Sequence, residues 1–343
     1  MAAKALGLST ISLCFAAGSL APAAPASTSR QAPVRCDRFA GSRGSDEAQG
    51  TRRHPYRTVR RLVQALRPGR VGCLLAGSFA EDLSIQRGGR PGKRIVLRSA
   101  PGVTARILGR IEIAETANYV TVSHLRIYGG SSPENTLQVW GDRFKLLNSE
   151  IDGGHSSTMQ SCVYLGHVTY GVAYDTVIDH NRIHDCGTSA TFEGHGFYVD
   201  AVRGTTRITN NYIYDNDGFG MQLYPDGDNV HIEHNVFDGT VVKAGLIFGG
   251  ETPGYSSDNN TVRHNIFTFN NTYGIDASWG GPVGRGNLAS SNCFWRNRLG
   301  SFGFRTGWTE LGGNVFADPL YVNRAGKDFR LRAGSPCAKD GPR

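Results

Sequence analysis

The amino-acid sequence predicts an all-β solenoid, and three observations lead to this fold class. Gly accounts for 45 of the 343 residues, so tight turns are frequent and long uninterrupted helices are disfavoured. A short unit recurs eight times at spacings of 22–32 residues, and a following strand with an apolar period of two is visible in six of the coils. Because a unit of this length cannot bury its own apolar face, the units must stack on one another.

The chain opens with the features of a secretory signal over residues 1–26. Lys4 precedes a mostly apolar run from Ala5 to Leu20, and small residues lead to an expected cleavage after Ala26. The sequence therefore predicts a secreted, extracellular protein. No later stretch reaches the roughly 20 apolar residues that a helix needs to cross a bilayer, so stable membrane insertion is not expected.

The recurring unit consists of an apolar residue, two variable positions, usually an Asn, one variable position and a second apolar residue. Its central positions are Leu125, Ser149, Asn181, Asn211, Asn235, Asn265, Asn292 and Asn314. Asn recurring at one bend predicts a ladder in which each side-chain amide hydrogen-bonds to its equivalent in the next coil. Four of these positions directly follow a histidine, and we interpret those histidines as structural residues of the bend: His124, His180, His234 and His264.

The strand that follows each bend predicts a polar, aromatic strip on the surface, because its alternate residues face outward. Coil by coil, the outward residues are Gln138 and Trp140, Tyr164 and Gly166, Tyr198 and Asp200, Gln222 and Tyr224, Ile247 and Gly249, Asp276 and Ser278. Stacked aromatic rings beside hydrogen-bonding side chains suit a sugar chain, while an ordinary solvent face is the alternative. The residues expected to contact substrate are Trp140, Tyr164, Asp200, Gln222, Tyr224 and Asp276.

Over nearly its whole mature length, the chain resembles the right-handed parallel β-helix, or pectin-lyase-like, superfamily. Thr58 to Leu66, ended by Pro68 and Gly69, resembles the amphipathic cap helix of that superfamily, which implies a helix near residues 57–67 over the N-terminal edge. Residues 317–343 resemble its closing segment. The resemblance implies a single right-handed parallel β-helix domain over residues 55–343, preceded by a partly flexible segment, 27–54. It indicates the architecture more strongly than the reaction.

Removal of the signal leaves six cysteines, an even number that suits an oxidising compartment. Fifteen pairings are possible, and the sequential one is favoured: Cys36 with Cys73, Cys162 with Cys186, and Cys293 with Cys337. Zinc binding is disfavoured because no CxxC pair occurs. In a secreted monomer, the net charge of +8 favours an acidic polysaccharide over nucleic acid as partner.

His195 differs from the histidines at the bend. It begins a strand after a long polar segment that contains Glu193, and we expect its side chain on the outer face near Tyr198. A histidine at this place acts either as a catalytic base or as a cap that hydrogen-bonds to a loop.

The superfamily resemblance implies a polysaccharide lyase that cleaves a uronic-acid-containing chain by β-elimination. His195 would be the base, and Tyr198 or Tyr164 would protonate the leaving oxygen. Arg203 or Lys243 would neutralise the sugar carboxylate, because the neighbouring proton is difficult to remove until that charge is compensated.

Two alternatives stay open. The first is a glycoside hydrolase that uses two carboxylates from a small acidic set: Glu193, Asp200, Asp226 and Asp228. The second is a non-catalytic solenoid that binds glycan or presents a rigid surface. No cofactor is required by either reaction, and a Ca²⁺ site at Asp215-Asn216-Asp217-Gly218 has only its acidic turn to support it.

Overall fold

The computed structural model describes residues 35–130, 134–155, 161–188, 193–278 and 280–343, so the predicted signal peptide lies outside the described residues. Three parallel sheets run through this part of the chain, and successive coils contribute strands to each sheet. Equivalent strands of neighbouring coils pair in parallel. The predicted all-β solenoid is confirmed.

The first sheet leads into the Asn bend, and the second sheet follows it. Within the described residues, the eleven strands of the first sheet are Arg38–Ser45, Val71–Leu74, Ile95–Ser99, Val120–Ser123, Lys145–Leu147, Val177–Asp179, Thr206–Thr209, Val230–Glu233, Thr261–Arg263, Asn287–Ser290 and Trp308–Glu310. The ten described strands of the second sheet are Gly77–Ala80, Ala105–Leu108, Leu125–Tyr128, Glu150–Asp152, Arg182–His184, Tyr212–Tyr214, Val236–Asp238, Ile266–Thr268, Cys293–Trp295 and Val315–Phe316.

The third sheet carries the predicted surface strip. Its ten strands in the described part of the chain are Leu83–Ile85, Ile111–Ile113, Leu137–Val139, Val163–Leu165, Ala173–Tyr174, Phe197–Arg203, Met221–Gly227, Leu246–Phe248, Tyr273–Asp276 and Gly300–Phe302. Two antiparallel hairpins lie outside the three sheets: Gly250–Thr252 with Tyr255–Ser256, and Tyr321–Asn323 with Asp328–Leu331.

The apolar residues that follow the Asn bend form a continuous stack inside the solenoid. In register the buried members are Ile127, Ile151, Ile183, Ile213, Phe237, Phe267 and Phe294; Phe316 continues the register in the last coil but is 61% exposed. Phe237 and Phe267 stack with ring centroids 4.8 Å apart, and Phe294 follows at 5.2 Å. The last coil departs from the pattern, because Leu311 before its bend is 61% exposed.

The Asn ladder forms as predicted. Asn181, Asn211, Asn235 and Asn265 are fully buried, and each side-chain oxygen accepts a hydrogen bond from the backbone N–H of the preceding ladder residue at 2.9 Å. The residue before each of the first seven ladder positions has a φ of 49° to 57°, a left-handed conformation that His and Asn adopt more readily than most residues. Gly313, before Asn314, has a φ of 73°. This explains the histidines of the bend. Asn260 with Asn287, and Asn270 with Asn297, form further side-chain rungs at other corners that the repeat did not predict.

The predicted cap helix is present as Val59–Ala65. The Thr58 hydroxyl accepts a hydrogen bond from the Arg61 N–H, and the Glu81 carboxylate accepts one from the Val59 N–H at 2.7 Å. Val59 and Leu62 are buried against the first coil. The segment expected to be partly flexible also contributes structure, because Arg38–Ser45 pairs with Val71–Leu74 as the edge strand of the first sheet.

The six cysteines pair in the favoured sequential order: Cys36–Cys73, Cys162–Cys186 and Cys293–Cys337. The last of these joins the C-terminal segment to the second sheet, where Tyr321 and Phe329 pack over the outer surface. In the part of the chain that the structure describes, no helix has the length and apolar character needed to pass through a membrane.

Candidate functional site

The predicted strip lies on the outer face of the third sheet. Its first column follows the strand register, with successive partners Gln138, Tyr164, Tyr198, Gln222, Ile247 and Asp276. Tyr164 and Tyr198 are half-buried, and their rings stack with centroids 4.8 Å apart. The last three members of the column are buried, so the accessible part of the strip centres on the two tyrosines.

Four of the six residues predicted to contact substrate are buried: Trp140, Asp200, Gln222 and Asp276. Gln222 is 2% exposed and Asp276 is 4% exposed. The Asp276 carboxylate accepts hydrogen bonds from the Ala277 and Phe304 N–H groups, at 2.8 and 3.0 Å. The prediction for Asp276 is therefore corrected: its carboxylate holds a turn to the following coil because backbone donors need a buried acceptor there.

Asp200 lies beside the two tyrosines and is 4% exposed. Its Oδ2 accepts a hydrogen bond from the Tyr164 hydroxyl at 2.7 Å, while its buried Oδ1 has no hydrogen-bond partner among the described residues. Burial raises the pKa of Asp200 to about 6; the charges of Asp226 and Glu251 act in the same direction, and the hydrogen bond from Tyr164 opposes them. The group is therefore about half protonated at pH 6.

A shift in strand register places Asp226, the second acidic residue of the site, near Asp200. Val199 pairs with Leu223, but Ala201 pairs with Asp226, so the strand Met221–Gly227 has an extra residue across this interval. An inserted residue of this kind re-aims the side chains that follow it. The simple alternation expected from the sequence ends at Asp200 for this reason.

Arg203 was expected to neutralise a carboxylate of the substrate, but protein carboxylates already surround it. Its guanidinium forms an ion pair with Asp226 and lies 3.5 Å from an oxygen of Asp228. Its Nη1 also donates to the backbone oxygen of Asp226 at 3.1 Å. The described charged groups around Asp200 and Arg203 thus include the carboxylates of Asp226, Asp228 and Glu251. Glu251 comes from the neighbouring hairpin.

An aromatic group borders Asp200 on the side of the preceding coil. The Trp140 ring lies 5.3 Å from that of Tyr164 and 5.7 Å from that of Tyr170, measured between centroids. His167 lies between them, with its Nε2 4.0 Å from Asp200 Oδ2. Trp140 is only 8% exposed, whereas Tyr170 is 60% exposed and offers a ring face to a ligand. Tyr170 and His167 were missed because they follow the strand in an irregular loop, where alternation gives no signal.

His195 is 4% exposed, the same fraction as Asp200, but its ring nitrogen is engaged by the backbone. Its Nδ1 accepts a hydrogen bond from the Phe219 N–H at 3.0 Å, so the proton of the neutral ring lies on Nε2. Burial lowers the pKa of His195 to about 3, and the charge of Lys243 acts in the same direction. An imidazole whose lone pair is engaged in this way is poorly suited to accept a substrate proton, and the geometry corresponds to the capping alternative.

The one described group with three metal-ligand side chains close together is outside the site around Asp200, where two middle strands of the second sheet end. Ligand atoms of Asp152, His184 and Asp185 are within 4.8 Å of one another. His184 Nδ1 already hydrogen-bonds to Asp185 at 2.9 Å. In the predicted Ca²⁺ segment, Asp215 pairs with Lys327 and Asp217 faces His155, so these carboxylates have protein partners; the Ca²⁺ prediction stays untested.

Known proteins share this architecture. The family model described as a right-handed β-helix region matches residues 108–252, and no curated protein matches the chain. Pectate lyase Pel9A has a TM-score of 0.60 at 12% identity, with 88% of this chain and 91% of that chain covered. The fold is a right-handed parallel β-helix.

Two further β-helix structures are similar over most of the chain. A glycoside hydrolase has a TM-score of 0.56 at 8% identity, with 86% of this chain and 99% of that chain covered. The GH136 lacto-N-biosidase from Eubacterium ramulus has a TM-score of 0.51 at 12% identity, with 82% and 68% covered. At these identities the likeness is one of fold, and the reaction has to be argued from the residues around Asp200.

Proposed function

We propose that this β-helix is a carbohydrate-active enzyme that hydrolyses a glycosidic bond on the outer face of the third sheet. The observation that carries the proposal is Asp200, a buried carboxyl group with a raised pKa and an unpartnered oxygen beside two stacked tyrosines. Perturbed carboxyl groups of this kind are typical of general acids. A carbohydrate substrate also agrees with the similarity in fold to a pectate lyase, a glycoside hydrolase and a lacto-N-biosidase.

Asp200 acts as the proton donor to the leaving glycosidic oxygen. As the proton departs, the Tyr164 hydroxyl stabilises the carboxylate that forms, because it already donates to Oδ2. A second carboxylate, Asp226 or Glu251, activates water or attacks the sugar. A carboxyl separation of about 5–5.5 Å gives retention and about 6.5–9.5 Å gives inversion of the sugar configuration.

The charges around Asp200 favour a neutral sugar at the reacting position. The charges of Asp226 and Glu251 act on Asp200, and Asp228 lies near Arg203, the described cation that pairs with Asp226. A uronate carboxylate placed here would meet like charges, which costs free energy in a partly buried site. The acidic polysaccharide expected from net charge is therefore not our choice for this face.

Lyase chemistry is the second candidate, favoured by the two tyrosine hydroxyls near the site. As formulated from the sequence, β-elimination needs His195 as base and Arg203 as neutralising cation. The hydrogen bond from Phe219 to His195 and the ion pair of Arg203 with Asp226 engage both groups, which favours hydrolysis.

We also propose that the protein is secreted. Three disulfides are typical of oxidising compartments, and the N-terminal leader predicted from the sequence agrees with them.

The test is a panel of neutral and acidic polysaccharides assayed for both reducing ends and the absorbance of unsaturated uronate. We expect reducing ends without unsaturation, and a loss of at least about 100-fold in kcat/KM for Asp200→Asn. Asp46→Asn, the same change at an exposed position outside the site, is the matched control and keeps full activity. Thermal unfolding verifies that both variants are folded.

Unsaturated products would replace hydrolysis by the lyase reaction. Full activity of folded Asp200→Asn would remove Asp200 from the mechanism.

A further inference from the structure

The excess of positive over negative charge in residues 35–343 comes from the N-terminal part of this range. Residues 35–94 contain 14 Lys and Arg against 5 Asp and Glu, whereas residues 95–343 contain 21 against 24. The net charge of +8 therefore does not describe the surface around Asp200. It describes the edge strand, the cap helix and the first coil, which we call the basic cap, residues 35–94.

The cations of the basic cap lie at the surface. Thirteen of the fourteen side chains are exposed: Arg35, Arg38, Arg43, Arg52, Arg53, Arg57, Arg60, Arg61, Arg67, Arg70, Arg87, Arg90 and Lys93. Among the described residues, only two of the thirteen, Arg35 and Arg70, form ion pairs, and both pair with Asp37. A solvated face of ordinary mixed charge would have more internal compensation.

Six of these side chains line two clefts. One, of about 400 Å³, is lined by Arg35, Arg38, Arg67 and Arg70 around Asp37. The other, of about 550 Å³, is lined by Arg43, Arg53 and His54 with Glu47. Each cleft has more guanidinium groups than its single carboxylate, and a local excess of one sign of charge concentrates counter-ions. The guanidinium fork binds carboxylate and sulfate groups through two parallel hydrogen bonds.

We propose that the basic cap is a docking surface for an anionic polysaccharide, separate from the site around Asp200. The cap consists almost entirely of arginine among its exposed cations, which suits planar, bidentate anions better than lysine does. In this arrangement the cap holds the protein on an acidic polymer while the third sheet remains free for a neutral substrate.

Other polyanions fit the cap less well. None of the exposed large hydrophobic side chains of the described residues falls within residues 35–94. Peripheral membrane binding usually adds inserted apolar groups to the charge, and single-stranded nucleic acid binding usually adds exposed aromatic rings. Three disulfides further favour an oxidising compartment, where acidic glycans are regular partners.

The test measures binding of the full chain to immobilised polygalacturonate at 50 mM NaCl. The protein carries Asp200→Asn, so the result does not depend on turnover or on the proposed hydrolysis. The cap variant reverses three exposed charges, Arg38→Glu, Arg53→Glu and Arg61→Glu. The matched control reverses three exposed charges elsewhere, Arg207→Glu, Arg285→Glu and Lys339→Glu, and has the same net charge.

We expect the cap variant to bind at least about tenfold more weakly than the unreversed protein. The control variant should bind about as tightly as the unreversed protein. We also expect binding of the unreversed protein to weaken steeply between 50 and 200 mM NaCl, because released counter-ions drive it. Equal weakening of the cap variant and the control would show that only net charge matters and would overturn the proposal. Tighter binding to a 20-base-pair DNA duplex or to phosphatidylglycerol vesicles would overturn the assignment to polysaccharide.

Discussion

Substitution of Asn211 by Ala removes one interior rung of the Asn ladder and should destabilise the β-helix substantially. The Asn211 side chain is fully buried and makes four hydrogen bonds. Its Oδ1 accepts from the backbone N–H and from Nδ2 of Asn181, and its Nδ2 donates to Ile178 O and Asn235 Oδ1, all at 2.9–3.0 Å. In the variant, the Asn181 N–H and the Ile178 oxygen lose these bonds inside the core.

A buried polar group left without a partner costs about 1–3 kcal/mol. Two such groups predict a loss of about 3 kcal/mol or more in the free energy of unfolding for Asn211→Ala. Asn314 is the matched control, because it ends the ladder, is half-buried and accepts one ladder bond, from the Asn292 N–H. Water can replace that bond, so Asn314→Ala should cost about 1 kcal/mol or less.

The assay is urea unfolding of both variants and the unmodified protein, followed by circular dichroism. Equal losses at the two positions, or a loss below about 1 kcal/mol for Asn211→Ala, would refute the idea that buried rungs stabilise the stack.

Three further predictions concern residues outside the ladder. His195→Ala should lower the free energy of unfolding by about 2 kcal/mol because the Phe219 N–H loses its buried acceptor; unchanged stability with lost turnover would instead return His195 to catalysis. Removal of the disulfide by Cys293→Ala with Cys337→Ala opens a loop of 44 residues and should cost about 4 kcal/mol, measured by urea unfolding against the oxidised protein. Burial opposes protonation of His184, but pairing with Asp185 and Glu150 raises its pKa to about 9. The charged ring therefore contributes about 3 kcal/mol to the free energy of unfolding, and this contribution is fully present below about pH 6.5 and lost as the pH rises through 9. Unfolding free energies from pH 6 to 10 should show this decline, which His184→Gln should abolish.

The repeat predicted the fold because its information is local and is repeated in every coil. Asn at one bend and apolar residues on both sides are the same requirement at Asn181, Asn211 and Asn235, so each coil supports the interpretation of the next. The cap helix followed instead from the resemblance of Thr58 to Leu66 to the cap helix of the superfamily, and the disulfide order from pairing consecutive cysteines.

The site was only partly predictable because its chemistry depends on departures from the repeat. Asp200 and Tyr164 were found by alternation, but the register shift that brings Asp226 to Asp200 has no signature in the sequence. Glu251 lies in the hairpin that begins at Gly250, and His167 lies in an irregular loop; both are outside the repeat that the sequence shows. Burial of His195 could not be inferred either, because it depends on the backbone of the next coil, whose Phe219 N–H meets its ring.

The net charge misled for a related physical reason. A single value for the chain cannot distinguish a uniformly basic protein from one with a basic cap and a slightly acidic body. The distribution of charge along the solenoid therefore matters more for partner choice than its sum.

The protonation of Asp200 can be measured directly, without knowledge of the substrate. Carboxyl carbon chemical shifts of ¹³C-labelled Asp, recorded from pH 3 to 9 and assigned by comparison with Asp200→Asn, report its titration. We expect a midpoint of about 6 for Asp200. In the unmodified protein the hydrogen bond from the Tyr164 hydroxyl favours the ionised carboxylate of Asp200. Its removal by Tyr164→Phe should therefore raise this midpoint. A midpoint near the ordinary value of about 3.9, or a lower midpoint in Tyr164→Phe, would contradict the assignment of Asp200 as the proton donor.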